Sequence, residues 1–349
     1  MIQFPYNTND FAFTLSKKFI EFETSEQSYF TVDFLVKHFN FYDTDQNNVI
    51  LSGGNYKIPI FKGKAIWNIG EKIHRYIANF PKKYQDGLQI KTALVDVTIE
   101  ERLLTTDALI DTYSFLDLKF IPGPQPKLVE NTNALLNINT EPCRVTEKGM
   151  CNASFLLSTG SYEIKTFIND QQINTLNVNA TAENNCYSVS LNLQEHAVKP
   201  ADIISFKLEN TVLEKQFIVF PYTELSTVIQ YVNSFKLISM LELTGGYSFP
   251  DKYNQITHKY KRGLEEITEV IETKKEASLK INSGAILKTQ LKIIDELLNS
   301  KKAVINNLEE LEFDLVPVAK KRTGFDTKNF TYTYDLEFLI NRTTDAQNS

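Results

Sequence analysis

A chain of 349 residues with 42% hydrophobic and 23% charged residues has the composition of a globular protein with more than one core, which excludes a disordered chain. Its net charge of −6 excludes nucleic-acid binding through a broad basic footprint, which needs clustered Lys and Arg. No apolar run approaches the roughly 20 residues of a membrane-spanning helix, the amino-terminal stretch lacks the pattern of a signal peptide, and Cys143, Cys151 and Cys186 form no disulfide framework.

The first segment, 1–121, reads as a sandwich-like β domain with one helix. Stretches 11–22, 28–42 and 92–101 are rich in aromatic and β-branched residues at strand-like alternation. Between two such runs, 43–55 is dense in turn formers, including Gly53 and Gly54, and is expected to connect a hairpin. Asp43, Asp45 and Asn47 alternate oxygen ligands as the start of a calcium loop does, which makes them candidate metal ligands. Asn48 and Gly54 then depart from that loop where it needs a glycine and a glutamate, and turn propensity alone also explains the acidic and amide residues. Ile69, Ile73, Tyr76, Ile77 and Phe80 follow Asn68 at helical spacing, so a helix capped by Asn68 is expected, with Trp67 in the core beside it.

Pro122, Pro124 and Pro126 place a linker at 119–130. From there the second segment, 122–221, shows short strand-like runs at about 10-residue spacing with turn residues between them, the pattern of an immunoglobulin-like sandwich. A bridge from Cys143 to Cys151 across a hairpin stays open on sequence alone.

The third segment, 222–349, is expected to be an α+β domain. Leu291, Ile294, Leu297 and Leu298 share one face of a helix, while Lys292, Asp295 and Glu296 fall elsewhere, and strand-like runs on both sides supply a sheet for it to pack on. Stretch 263–280 is polar, and Ile267, Val270 and Ile271 are too few for a helical face, so it is read as strand. Lys320, Lys321 and Arg322 suit a solvated loop or a contact to an acidic partner. The fold class is therefore mainly β, with several small antiparallel sandwich-like domains and a few short helices.

Signatures of chemistry are missing from this pattern. His38, His74, His196 and His258 lie apart, no nucleophile elbow is present, and the glycine pairs lack the Lys-Ser or Lys-Thr of a phosphate loop. A non-enzyme without a cofactor is expected.

The third segment resembles virion and tail-type structural proteins of Bacteroidetes phages and prophages. The likeness rests on a strand with Asn233 and Glu242, a central helix at 283–300 entered through Ser283-Gly284, and a closing strand with Tyr332, Leu336, Glu337 and Phe338. Stretch 58–75 is similar to an early passage of the same proteins; Phe235 and Lys236 stand where that pattern has glycine. The resemblance implies a structural subunit of a phage tail, baseplate or related particle, made in the host cytoplasm and residing in the virion. Its partners would be copies of itself and other virion proteins, with Phe330, Tyr332, Tyr334 and Phe338 available to be buried between subunits. The competing class is a carbohydrate-binding or adhesin-like sandwich, with Trp67 and the aromatics between Phe11 and Tyr42 as candidates for stacking on sugar or another host-surface glycan.

Overall fold

The structure, a computed structural model, describes residues 1–8, 10–24, 27–39, 49–77, 84–127, 133–262, 265–300, 302–308, 311–318 and 331–341. Strand accounts for 60% and helix for 8%, so the chain is mainly β, as its alternating runs predict.

In the first segment, strand Ser28–Phe39 buries Phe30, Val32, Phe34 and Val36 on one face. It pairs antiparallel with Val49–Ile58 on one side and Ala93–Leu103 on the other. Leu109–Ile121 and, parallel to it, Phe11–Phe13 complete a five-stranded sheet. A three-stranded sheet of Ile2–Gln3, Ile20–Glu23 and Lys64–Trp67 adds Ile20 and Phe22 to the same core. Helix α1 (Ile69–Tyr76) closes it with Ile69 and Ile73. Asn68 caps this helix, its Oδ1 accepting from the Glu71 N–H, and Trp67 packs partly buried against Tyr56. Gly53 and Gly54, expected in the turn, instead lie inside strand Val49–Ile58 opposite Leu35 and Phe34. Phe80 lies outside the described residues.

Two sheets face each other in the middle segment. One runs in the order Cys143–Thr146, Glu214–Phe220, Ile203–Leu208, Gly160–Ile168, Gln171–Ala180, with the first pair parallel. The other runs Ala134–Leu135, Met150–Leu156, Asn184–Asn192, Gly87–Lys91. This is the strand order of an immunoglobulin-type sandwich with one exchange. Where that fold places its fourth strand beside Asn184–Asn192, this chain inserts Gly87–Lys91, which comes from before the expected boundary at 121. All three cysteines are buried and free, so the Cys143–Cys151 bridge does not form.

The proline-rich stretch is not a free tether along its whole length. Lys119 to Ile121 belong to strand Leu109–Ile121, and Pro122 and Gly123 are buried. Gly123 donates its N–H to Thr14 Oγ1 and accepts from the Leu15 N–H. At φ 107° a side chain there would be strained, and a Cβ would collide with the Phe235 ring. Phe13 and Ile121 from the first segment, Ile90, Ala134, Leu136, Leu156 and Cys186 around the middle sandwich, and Phe235 and Leu237 from the third form one apolar cluster. The three segments are thus fastened by shared packing.

In the third segment the sheet order is Ile238–Leu243, Thr227–Val232, Ala303–Leu308, Leu311–Val318, Asp335–Asn341, Glu265–Asn282, Tyr247–Ser248. Strands from after helix α2 (Leu291–Leu298) form its middle and strands from before it both its sides, so the sheet is built from both flanks, as expected. Ile294 and Leu297 are fully buried against this sheet, Leu291 and Ile293 nearly so, and Leu298 is partly buried. Their cluster runs on without a break into the core of the middle sandwich, through Leu241, Leu243 and Val145. Two expectations fail here. Glu296, read as lying off the buried face, is only 8% exposed. Tyr332 and Phe338, read as available to a partner, fill this chain's own core; Phe330 lies outside the described residues.

Candidate interaction surface

Asn233 and Glu242 are structural anchors. Asn233 Oδ1 accepts from the N–H groups of Phe235 (2.9 Å) and Leu237 (3.0 Å), and its Nδ2 donates to Ser239 Oγ (2.9 Å). The turn so formed puts Lys236 at φ 63°, a left-handed conformation that glycine adopts at least cost, and presses Phe235 onto Gly123. Glu242 reaches the middle sandwich, taking 2.6 Å bonds from both the N–H and the hydroxyl of Thr146. Asn152 completes the seam from the other side, donating to Ile238 O and accepting from the Met240 N–H.

Behind this seam lies a small cavity of about 30 Å³ edged by Asn139, Cys143, Asn152, Lys215, Tyr231 and Glu296, room for a single water rather than a substrate. Lys215 is 2% exposed and donates to Asn139 O (2.8 Å), Glu141 O and Cys143 Sγ (3.0 Å). Glu296 accepts from Tyr231 OH (3.2 Å), Ser234 N–H (2.8 Å) and Ser234 Oγ (2.7 Å). Burial raises the Glu296 carboxyl above the ordinary carboxylate range, although these three donors oppose the rise. Burial also holds the Cys151 thiol far up and pushes Cys186 up to about 12, so neither is a nucleophile at neutral pH. Lys215 and Glu296 thus brace their own segments on either side of the seam, and Glu242 and Asn152 fasten the second segment to the third.

The outward-facing feature is a hairpin. Among the described residues, strand Asp251–Arg262 pairs with Glu265–Asn282 alone, from Asp251 opposite Ala277 to Arg262 opposite Glu265, with a bulge at Ile271. Twelve residues at about 3.3 Å each make an arm roughly 40 Å long. Successive strand residues point to opposite faces, yet Ile256, Thr257, His258, Lys259 and Tyr260 are all exposed, as are Thr268, Glu269, Val270 and Ile271. Neither face of this ribbon packs on the chain's own core over those residues. Ile256, Tyr260, Val270 and Ile271 stand 40–65% exposed there.

The root of the arm is clamped by the turns that flank it, Ser283 and Gly284 of the resemblance among them. Gly245 N–H donates to Asn282 O (3.2 Å), Asn282 N–H to Gly246 O (2.9 Å), and Thr244 N–H to Ser283 O (3.2 Å). Asn282 Nδ2 donates to Asp335 (2.7 Å), and Tyr334 N–H to Ser283 Oγ (2.9 Å). Gly284, at φ 65°, has no room for a Cβ beside the Thr244 hydroxyl. The spacing of these motifs in sequence gave no sign that they meet at one place.

The candidate calcium ligands Asp43, Asp45 and Asn47, and the basic run at Lys320, Lys321 and Arg322, lie outside the described residues. Among the described residues no cluster of His, Cys, Asp or Glu has the form of a metal site, and no helix is long and apolar enough to cross a membrane. The histidines remain apart: His74 Nδ1 is 2.8 Å from Thr14 Oγ1, and His258 stacks on Tyr260 in the arm. No protein-family model matches the chain, and no curated protein matches it.

Proposed function

We propose that the chain is a non-enzymatic structural subunit of a phage tail, baseplate or related particle that works by protein–protein assembly. The observation that carries this is the arm. A two-stranded ribbon is marginally stable alone in water, and this one presents apolar side chains on a framework fixed at its root by closely packed glycines and hydrogen bonds. Such a surface suits another protein better than a small molecule. Its partners are copies of itself and other virion or tail proteins, and its place is the virion, after assembly in the host cytoplasm.

Mass spectrometry of particles purified from a producing host tests this reading. The chain should be present in many copies per particle, with genes for tape-measure, capsid or tail proteins beside its own. Particles that lack it, or a polysaccharide-utilisation neighbourhood, would overturn the proposal.

A second reading, glycan binding, draws on one recess of about 460 Å³ at the rim of the middle sandwich. It is lined by the amides of Asn133, Asn177 and Asn179, the hydroxyls of Ser158 and Ser161, and Tyr162. Polar groups around an aromatic ring suit a sugar. A glycan array with the intact chain decides it, binding lost in Asn177→Ala supporting the reading and a blank array removing it.

A further inference from the structure

We propose that the arm pairs edge to edge with the arms of further copies of this chain, basic strand against acidic strand, to close a ring. This rests on the assembly reading and names its partner. Both edges of the arm are open. Strand Asp251–Arg262 has no neighbour but Glu265–Asn282, and the far edge of the latter is paired only from Ser278 to Asn282. Among the described residues no other strand pairs with either edge along the arm. Long open edges template pairing with another chain.

The sequence of the two strands says which edge meets which. Strand Asp251–Arg262 has four cations, Lys252, Lys259, Lys261 and Arg262, against the single carboxylate Asp251, a net +3. Facing it, 265–276 has five carboxylates, Glu265, Glu266, Glu269, Glu272 and Glu276, against Lys274 and Lys275, a net −3. Within one arm the register sets Lys261 opposite Glu266 and Arg262 opposite Glu265. The outer edges keep their opposite signs. Pairing like edges across a two-fold axis would set cations against cations, or carboxylates against carboxylates. Pairing unlike edges is head-to-tail, and head-to-tail contacts between identical copies close into a ring when the rotation between neighbours closes, as it does for arms laid side by side around one axis.

Geometry agrees with charge. Arms that run along a rotation axis point the same way, so the basic strand of one copy then lies antiparallel to the acidic strand of the next, as it does to its own partner strand. Repeated around the axis, this leaves no open edge. The exposed apolar groups Ile256, Tyr260, Val270 and Ile271 are then distributed over the two faces of a closed ribbon wall.

The test uses the full chain and two charge variants. In one, Lys252, Lys259 and Lys261 become Glu; in the other, Glu265, Glu269 and Glu272 become Lys. Sedimentation velocity at about 100 µM should show the natural chain as an oligomer that weakens with salt. Each variant alone should self-associate at least tenfold more weakly, and an equal mixture should regain the oligomer, which a folding defect would not allow. Carbodiimide cross-links between ¹⁴N and ¹⁵N copies should join the two strands. A natural chain that stays monomeric, or a variant that assembles alone as well as the natural chain, overturns the inference. So does an oligomer that persists in a folded chain with 253–275 replaced by Asn-Gly. That last result would leave the assembly reading standing, since the reading is decided by the particle.

Discussion

Glu296 carries the sharpest residue-level consequence. A carboxylic acid raised by burial binds its proton more tightly folded than unfolded, so its contribution to stability is present below the unfolded pKa and lost as pH rises through the folded one. Glu296→Gln removes that dependence while an amide still accepts from Ser234 and donates to the Tyr231 oxygen. The melting temperature of the variant relative to the natural chain should therefore rise from acidic to slightly alkaline pH; a constant difference would show that the carboxyl is not raised. Lys236 offers a second case, because its φ of 63° suits glycine and resists β-branching. Lys236→Gly should change stability by less than about 1 kcal/mol, whereas Lys236→Val should cost about 2 kcal/mol or more in denaturant melts. Equal effects of the two would refute the strain account. The resemblance already marked position 236 as one where glycine is usual, but the reason is the turn that Asn233 ties. Glu296 was misread because a charge on an amphipathic helix ordinarily faces water, and the groups that satisfy it lie far away in sequence, at Tyr231 and Ser234.

At the level of elements, local periodicity was legible wherever one face of a strand or helix is buried. Phe30, Val32, Phe34 and Val36 alternate as sequence says, and Asn68 begins α1 where the cap is expected. Helix α2 is the strongest instance, since Ile294 is fully buried against strands from both flanks. Ile294→Asp would leave an unpaired carboxylate in the apolar cluster that Ile294 shares with the sheet strands, at a cost above about 4 kcal/mol, comparable with the whole stability of a typical domain. The variant should fail to accumulate as soluble chain; soluble variant with a native melting curve would disprove the packing described. The arm was legible only in part. Its strand character followed from β-branched residues, but Ile267, Val270 and Ile271 look the same whether a ribbon packs on a core or stands in water. That distinction is tertiary.

Across the whole molecule, sequence divided the chain into three units at 121 and 221, and the structure joins them. Strand Gly87–Lys91 leaves the first unit to complete a sheet of the second, a long-range pairing that a short stretch with few apolar residues does not announce. Ile90 sits at that crossing, opposite Cys186 in the ladder and 4% exposed in the cluster shared by all three segments. The cores of the second and third units are continuous, so neither can unfold while the other stays intact without exposing apolar surface. Ile90→Asp therefore acts on the whole. It places a charge against Phe13, Ile121 and Phe235, which belong to different units, at a cost of about 3 kcal/mol or more. In scanning calorimetry the natural chain should melt with its second and third units in one transition, and Ile90→Asp should lower that transition together with any separate melting of the first unit. A variant that shifts the first unit's melting alone would show that the seam is only a surface contact. Because an arm transmits load only as well as its root is held, that outcome would also weaken the case for the clamp at Thr244, Asn282 and Asp335 as part of one rigid framework.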